Sequence, residues 1–291
     1  MIRKTSQRLA LMLFCIYLAV LPGSTAVVAL DRVPGWGAWM GGALLLLQGA
    51  AALCWLLGRH GARGGLVALL VFLLAWAVEH AGVVTGVPFG RYHYTGALQP
   101  QLFGTIPLAI PCAWLMVAAG AWQLATTDHR LLPTVFGRRW SVVVAATLLL
   151  LLDLQIETVA TKINRYWIWH DGGPYYGVPT ANFVAWWLTG LAMAVAVATV
   201  LPRAEDGQSG GWGDTETESY VARLLSHISD RLPPYLYLLS TLMFAIVNLA
   251  HGFTIAGLVG VLVLLAVALA IRLDGALPTF FPGVEGVERA E

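Results

Sequence analysis

Three carboxylates lie inside apolar stretches of this sequence, where an ionisable side chain is costly and usually faces the interior of a helical bundle or a cavity. Glu79 lies near the end of one apolar run, and Asp153 and Glu157 lie four residues apart in another. That spacing places Asp153 and Glu157 on one face of a helix. Because two neighbouring carboxylates in a medium of low dielectric constant resist ionising together, this pair is expected to retain a proton at neutral pH and to act as a proton donor.

Structural roles for these acids are also open. In the structural interpretation, Glu79 pairs with His80 or Arg91 near the outer end of its helix and only anchors the loop. In a catalytic interpretation, His80 and Arg91 are candidate catalytic residues because either would set the charge of Glu79. The acids of the second run are followed within two turns by Lys162 and Arg165. Either cation would neutralise the pair and leave it with a purely structural role.

Each acidic helix end leads into a loop that is rich in glycine, proline and aromatic residues. Residues 86–104 read GVPFGRYHYTGALQPQLFG, and residues 164–187 read NRYWIWHDGGPYYGVPTANFVAWW. After each loop a helix carries a tryptophan, Trp114 or Trp186, seven residues after a proline. The repeated order predicts two related helical hairpins, with an axis along the membrane normal that brings the acids of both to one outer cavity.

The aromatic and amide side chains around the acids are the candidate substrate-binding residues. Aromatic faces stabilise a cation by cation–π attraction, and an amide can hold a water molecule. Together with a buried acid, this set suits protonation of an apolar alkene and capture of the resulting carbocation by water. The candidates are Trp76, Tyr92, Tyr94, Trp114, Trp167, Trp169, Tyr175, Tyr176, Asn182 and Trp186.

The composition of the 291 residues is that of a membrane protein. Hydrophobic residues make up 58% and charged residues 11%, and mean hydropathy is +0.72, whereas a soluble domain carries roughly a quarter charged residues. Apolar runs near the length that spans a bilayer predict an all-α, polytopic bundle of about eight (seven to eight) transmembrane helices. They fall at 9–30, 38–57, 65–85, 105–125, 140–161, 181–201, 234–250 and 252–272, with Asn248, His251 and Gly252 at the last turn.

Lysine and arginine are distributed unevenly between the predicted connecting segments. With a cytoplasmic N-terminus, 13 of the 17 lie on the inner side, and Arg32, Arg91, Lys162 and Arg165 lie outside. The positive-inside rule supports this orientation, which places both aromatic loops at the outer face of the cell (cytoplasmic) membrane. The first segment has the basic start of a signal peptide, but its apolar run continues through Leu30, so we expect it to be retained as a helix.

The predicted organisation is a single transmembrane domain over residues 1–275 and a short tail over residues 276–291. Within the domain, residues 203–233 are expected to form a cytoplasmic linker and an amphipathic helix on the inner membrane surface. Thr215 and Glu218 form a capping pattern before that helix.

Several classes of function lack their characteristic residues. The net charge of +1 provides no basic surface for a nucleic acid. The seven histidines are scattered, no acidic cluster suits Mg²⁺ with a prenyl diphosphate, and the three cysteines form no CxxC pattern. Neither a metal nor another cofactor is predicted.

The second predicted helix contains Gln48 as its strongly polar residue and is predicted to serve helix packing.

The two motif blocks resemble a known family. EHAGVVTGVPFGRYHYTGALQPQLFGTIPLAIPCAW, residues 79–114, and the later blocks DLQIETVA and YWIWHDGGPYYGVPTANFVAWW are similar to the carotenoid biosynthesis membrane proteins of the CruF type, the carotenoid 1,2-hydratases. The resemblance implies cofactor-independent hydration of the terminal 1,2 double bond of an acyclic carotenoid ψ-end, as in lycopene, γ-carotene or bisanhydrobacterioruberin. It implies as partners the carotenoid, the lipid bilayer and other membrane enzymes of the carotenoid pathway. That family usually has Asp-Pro where this chain has Glu157-Thr158, so here the helix is expected to continue unbroken.

The mechanistic hypothesis assigns the proton donor to Asp153, alone or sharing its proton with Glu157. Protonation of the alkene carbon that becomes CH₂ leaves a tertiary cation. Glu79 then positions the water and accepts its proton, with His80 or Arg91 setting its charge, and Glu79 and Asp153 can exchange roles. The alternatives are a membrane carotenoid cyclase, a non-catalytic carotenoid-binding protein and a transporter. The Pro-x-Glu-Glu type motif of such cyclases is absent from this sequence.

Overall fold

The computed structural model describes residues 2–127, 137–202 and 220–273 and consists mainly of helices. In these ranges the helices are α1 (Ile2–Ala29), α2 (Met40–His60), α3 (Ala62–Thr85), α4 (Ala109–Thr127), α5 (Gly137–Thr158), α6 (Thr180–Val200), α7 (Tyr220–Asp230), α8 (Leu232–Ala250) and α9 (Thr254–Leu273). The short strands are β1 (Tyr92–Tyr94), β2 (Gln101–Leu102), β3 (Ile106–Pro107) and β4 (Trp167–Trp169).

Eight helices of the described residues are long and apolar enough to cross a membrane, and α7 is the shorter exception. The predicted all-α, polytopic membrane bundle is therefore confirmed. Gly252, with a φ of 77°, forms the turn between α8 and α9, as predicted. The start of α4 differs from the prediction because residues 101–107 form a small antiparallel pair of strands, β2 and β3, before the helix begins.

Small residues allow the helices to approach closely, as is common in membrane bundles. A Cβ atom at Gly49 of α2 would lie 2.5 Å from the Cβ atom of Cys112 on α4. A Cβ atom at Gly120 of α4 would lie 2.7 Å from the Cβ atom of Tyr237 on α8. Larger side chains at these two glycines would push α2 and α8 away from α4.

The two helical hairpins, α3–α4 and α5–α6, are joined through their loops. Strand β1 pairs with β4 in antiparallel fashion, which places Tyr92 opposite Trp169 and Tyr94 opposite Trp167. Deeper in the bundle, the rings of Trp114 and Trp186 stack with their centroids 3.6 Å apart. Equivalent segments of the two hairpins therefore meet each other, as the repeated sequence pattern predicts.

The end of α5 changes its winding instead of continuing as a regular helix. After Thr158 the chain forms a π-helical turn, Val159–Ile163, a feature that is frequent at functional sites. The Thr158 hydroxyl donates to the Asn248 Oδ1 atom, and the Asn248 Nδ2 atom donates to the Gln155 carbonyl oxygen at 3.0 Å. These contacts attach α8 to α5 beside the π-helical turn, and Asn248, predicted at the turn after α8, lies inside that helix.

At the opposite end of the bundle, α7 is helical where an amphipathic helix was predicted. Its C-terminal end is held by an ion pair between Arg59 and Asp230 at 3.3 Å. Residues 203–219 of the predicted linker and the tail at 276–291 lie outside the described residues.

Candidate active site

A cavity of about 410 Å³ lies inside the bundle, at the end that carries the aromatic loops. Its wall is mostly apolar and is formed by residues of α1, α2, α3, α4, α5, α6 and α8 together with the loops. Glu79 and Glu157 both line it, and so do the amides of Gln48 and Asn182. One acid of each hairpin thus lies on the wall of this cavity, whereas the repeated pattern predicts this for all three acids.

Glu79 is 5% exposed and is held by three donors. Tyr92 and Tyr94 donate their hydroxyl protons to its Oε2 atom at 2.6 and 2.7 Å. The indole Nε1 of Trp114 donates to its Oε1 atom at 3.0 Å. Burial, and then the neighbouring Glu79, raise the pKa of both tyrosines above its ordinary value, so both hydroxyls keep their protons at neutral pH.

Glu157 is held by N–H donors alone. Trp169 and Trp167 donate from their Nε1 atoms to its Oε2 atom at 2.9 and 3.3 Å. The Asn182 Nδ2 atom lies 3.2 Å from the Oε1 atom of Glu157 and 3.0 Å from the Oδ2 atom of Asp153. Asn182 therefore bridges the two acids of α5.

Asp153 does not face the cavity, in contrast to the prediction that it reaches the alkene. Its side chain is fully buried, and Asp153 is not part of the cavity wall. Its Oδ1 atom has no hydrogen-bond partner within the described part of the chain. Because Glu157 is one turn further along α5, Glu157 occupies the position on the wall, and Asp153 reaches it only through Asn182.

The cavity acids have no cationic partner among the described residues. The two ion pairs found there, Arg59 with Asp230 and Arg91 with Asp171, involve none of them. Neutralisation of the acid pair on α5 by Lys162 or Arg165 is therefore not observed.

The predicted contact between Glu79 and His80 is absent. His80 follows Glu79 directly, so its side chain points about 100° further around the helix. Its ring stacks on Trp76 with centroids 5.4 Å apart, and its Nδ1 atom lies 3.2 Å from the Thr105 hydroxyl oxygen. Neither His80 nor Trp76 lines the cavity, which corrects the prediction of Trp76 as a substrate-binding residue.

The predicted contact between Glu79 and Arg91 is absent as well. Successive side chains of a strand point to opposite faces, so Tyr92 and Tyr94 point inward while Arg91 points outward. Arg91 donates from its Nε and Nη2 atoms to the Oδ1 atom of Asp171 at 3.0 and 2.7 Å. These hydrogen bonds lower the pKa of the Asp171 carboxyl and fasten the two aromatic loops together.

Most of the predicted substrate-binding residues do surround the cavity, but Tyr175 and Tyr176 do not. The Tyr175 hydroxyl donates to the Leu154 carbonyl oxygen at 2.7 Å, and the Tyr176 hydroxyl accepts from the Ile255 backbone N–H at 3.2 Å. Both therefore join the loop to neighbouring helices. The predicted residues that line the cavity are Tyr92, Tyr94, Trp114, Trp167, Trp169, Asn182 and Trp186.

Some cavity residues were not predicted. Gln48 lines the cavity, and its Nε2 atom donates at 2.8 Å to the Ser240 hydroxyl oxygen, which lies 3.4 Å from the Tyr17 hydroxyl oxygen. Gln48 is the strongly polar residue of an apolar run, and this feature of the sequence could have identified it as a candidate cavity residue. One face of α1, which includes Val20 and Ser24, also forms cavity wall. These side chains are small or apolar, so nothing in their sequence distinguishes them.

No group of three or more histidine, cysteine, aspartate or glutamate side chains in residues 2–127, 137–202 and 220–273 is arranged to hold a metal ion. The polar side chains that line the described cavity include carboxylic acids, phenols, indoles and amides.

Comparison with known proteins agrees with this arrangement. Residues 40–267 match a protein family described as carotenoid biosynthesis protein. The chain belongs to this family. The match covers α2 to α8 and most of α9, and thus both hairpins and the two glutamates of the cavity wall.

One curated relative is bisanhydrobacterioruberin hydratase of Haloarcula japonica, which is 31% identical over 137 residues. The aligned region covers 44% of this chain and 42% of that protein, so the chain spans less than half the length of this relative. No solved structure matches the chain.

Proposed function

We propose that this protein hydrates the terminal 1,2 double bond of an acyclic carotenoid end to give a tertiary alcohol. The observation that carries the proposal is the placement of Glu79 and Glu157, with different hydrogen-bond partners, on the wall of one apolar and aromatic cavity. The family supplies carotenoid biosynthesis as the context, and the Haloarcula japonica protein is named as a hydratase.

The hydrogen-bond partners determine which acid holds a proton. Three buried carboxylates without a cation among the described residues cannot all be ionised, because each buried charge is costly to desolvate. The partners of Glu157 are N–H groups, which only donate, so they require an acceptor and favour its ionised form. The hydroxyl groups that contact Glu79 can turn and accept a hydrogen bond from a protonated Glu79. The Oδ1 atom of Asp153 has no hydrogen-bond donor beside it, so a proton on this atom displaces no existing bond. We therefore place protons on Glu79 and Asp153 and the negative charge on Glu157.

The reaction follows from this distribution. Glu79 gives its proton to the CH carbon of the terminal double bond, whose π electrons form the new C–H bond and leave a tertiary cation. The stacked rings of Trp114 and Trp186 stabilise that cation by cation–π attraction. A water molecule held by Asn182 and Glu157 attacks the cationic carbon, and Glu157 takes the proton that the water releases. The cycle closes when a proton returns from Glu157 to Glu79 through water.

In this scheme Glu79 is the proton donor. This is the alternative in the sequence hypothesis in which Glu79 and Asp153 exchange roles. Glu157 takes the position of the base because Asp153 does not reach the cavity. Asp153 then acts through Asn182 by holding the amide that positions Glu157.

The test is expression in a lycopene-producing bacterial host, followed by extraction, chromatography and mass spectrometry of the pigments. We expect a new, more polar pigment that is heavier by one water. Glu79→Gln at the same protein level is expected to lack it. Asp230→Asn, which alters an acid at the opposite end of the bundle, is the matched control and is expected to retain it.

Two other outcomes would replace the proposal. A new pigment of unchanged mass would indicate a cyclase, which uses the same acid and cation without adding water. Unchanged lycopene that remains bound to the purified protein would indicate a carotenoid-binding protein. In that case the same glutamine variant would alter stability or binding and leave every pigment chemically unchanged.

A further inference from the structure

The cavity is small compared with a carotenoid. Its volume of about 410 Å³ lies near the lower end of the roughly 300–1,000 Å³ of pockets that hold drug-sized ligands, and a carotenoid of roughly 40 carbons is larger than such ligands. A conjugated polyene is stiff and extended, so it cannot coil into the remaining space. One end of the molecule therefore fills the cavity, and the larger part lies outside it.

On its α1 side, the cavity wall includes residues of a membrane-spanning helix that are also at least partly exposed. Val20, Ser24 and Val27 line the cavity from one face of α1. Val20 lies nine residues before the end of the helix, which is about 14 Å along its axis. Its side chain is 41% exposed, close to the 40% of Leu18 on the outer surface of the same helix. An opening at this depth faces the lipid chains and not the water beyond the loops.

The segment above this opening exposes apolar residues beside the charged Asp31 and Arg32, and Asp31 contributes to the cavity wall. The segment between α1 and α2 exposes Leu30, Val33, Trp36 and Trp39, and Val33 contributes to the cavity wall. Tryptophan favours the level of the lipid headgroups. A polyene that leaves the cavity on this side therefore passes from an apolar wall directly into the bilayer.

The reacting groups lie across the cavity from this opening. Glu79 and Glu157 belong to α3 and α5, whereas α1 packs mainly against α2 and α8. A carotenoid that enters beside α1 thus brings its terminal double bond toward the acids, with the polyene trailing behind it toward the lipid.

We propose that a carotenoid enters the cavity end first from the lipid beside α1, and that only one of its two ends is hydrated during each visit. This inference rests on the proposed hydratase function. A carotenoid with two acyclic ends must leave after the first addition and enter again with its other end. The far end stays outside the protein, so its structure has little influence on the rate.

The first experiment follows the products over time. Wild-type protein in liposomes receives a large molar excess of lycopene, and unhydrated, singly and doubly hydrated pigments are quantified by chromatography and mass spectrometry. Singly hydrated pigment is expected to accumulate first, with a lag before the doubly hydrated one. γ-Carotene, with one acyclic end and one ring, is expected to react at a similar rate per acyclic end. Doubly hydrated pigment without a lag, or a γ-carotene rate more than tenfold lower, would overturn the inference.

The second experiment blocks the opening. Ser24 and Thr25 both donate to the Leu21 carbonyl oxygen, at 2.9 and 2.7 Å, but only Ser24 lines the cavity. Ser24→Trp is expected to lower hydration at least tenfold, and Thr25→Trp to stay within a factor of three of wild type. Val20→Trp and its outward-facing control Leu18→Trp provide a second pair in case one variant does not fold.

Pigment binding separates this inference from the proposed function. The amount of carotenoid that copurifies with each variant is measured per protein, with no need for turnover. We expect Ser24→Trp and Val20→Trp to retain little pigment, and their controls to retain the wild-type amount. Equal pigment in both members of each pair refutes entry beside α1. Wild-type protein that binds pigment through this opening but never adds water refutes the hydratase proposal and leaves the entry route intact.

Discussion

The two hairpins of this bundle place a glutamate at comparable positions and surround it with different donors. On the α3–α4 hairpin, two of the three donors to Glu79 are phenol hydroxyls, which can reverse direction. On the α5–α6 hairpin, the donors to Glu157 are indole and amide N–H groups, which cannot. Related scaffolds thus provide one acid suited to exchanging a proton and one suited to staying charged. The scaffold determines where the acids lie, and the residues of the aromatic loops determine what each acid can do.

The largest expected effects come from replacing Glu79 and Glu157, the glutamates of the two hairpins, one at a time. Glu79→Gln and Glu157→Gln are both expected to lower the hydration rate by about 10²–10⁴-fold, the usual contribution of a general acid or base. The assay is the formation of hydrated pigment in liposomes, with Asp230→Asn as the control. Wild-type activity in either variant would remove that acid from the mechanism.

Deuterium incorporation separates the two roles within the same pair of variants. In D₂O, a protein that retains Glu79 adds deuterium to the alkene carbon, and the cation can return to an alkene by losing a proton. Glu157→Gln is therefore expected to produce deuterated, unhydrated carotenoid, whereas Glu79→Gln is not. The opposite pattern would show that the two hairpins have exchanged roles.

The donors should differ in importance. A hydrogen bond changes the rate only by as much as it strengthens between the resting state and the transition state. A bond to a charged group contributes about 1.5–3 kcal/mol and one between neutral groups about 0.5–1.5 kcal/mol. Glu79 becomes charged as it gives up its proton, so Tyr94→Phe, which removes a donor to that charge, is expected to slow hydration about 5–13-fold. Glu157 is charged in the resting state and loses that charge when it accepts a proton, so Trp169→Phe is expected to slow hydration less than Tyr94→Phe does. Rates measured at equal protein levels test the order, and a larger loss in Trp169→Phe would reverse the assignment of charge.

Asp153→Asn should have a smaller effect than either glutamine variant. The proposal gives Asp153 a proton, so asparagine preserves both its shape and its neutral charge, and only the bond to Asn182 is perturbed. We expect the hydration rate to fall less than about tenfold, in line with one neutral hydrogen bond. A loss of 10²-fold or more in the same liposome assay would instead support Asp153 as the proton donor, as the sequence hypothesis has it.

Much of the fold follows from the sequence because hydropathy reports directly on spanning helices. The boundaries of α2, α3, α6 and α8 agree with the apolar runs within a few residues. The start of α1 is earlier than predicted because Arg3, Lys4 and Arg8 are helical but polar. The π-helical turn at Val159–Ile163 was not predicted, since it depends on contacts with other helices and on the loop that follows.

The candidate site was predicted in its residue types but not in its pairings. Glu79 lies 13 residues before Tyr92 and 15 before Tyr94, and helical neighbours such as His80 were the nearer partners to consider. The alternation of residues in RYHY, residues 91–94, and WIWH, residues 167–170, indicates which aromatic side chains share one face of a strand. It places every second aromatic residue on one face of a strand, but only the pairing of β1 with β4 shows that this face covers the acids.

The smallest expected effect concerns the ion pair that fastens the two aromatic loops. The side chains of Arg91 and Asp171 are 71% and 36% exposed, so Asp171→Asn is expected to leave hydration at neutral pH within about twofold of wild type. The hydrogen bonds from Arg91 lower the pKa of Asp171 in the folded protein. The ion pair therefore contributes stability above the ordinary aspartate pKa of about 3.9, and that contribution is lost as the pH falls through the lower folded value.

Thermal unfolding in detergent between pH 7 and pH 3 measures this contribution as the difference in midpoint between wild type and Asp171→Asn. The difference is expected to be constant above about pH 5 and to shrink below about pH 4, because only the wild type loses a charge there. A difference that disappears already near pH 6 would mean that a group other than Asp171 carries the pH dependence. A large loss of hydration in Asp171→Asn at neutral pH would show that the two halves of the site depend on this surface contact for their alignment.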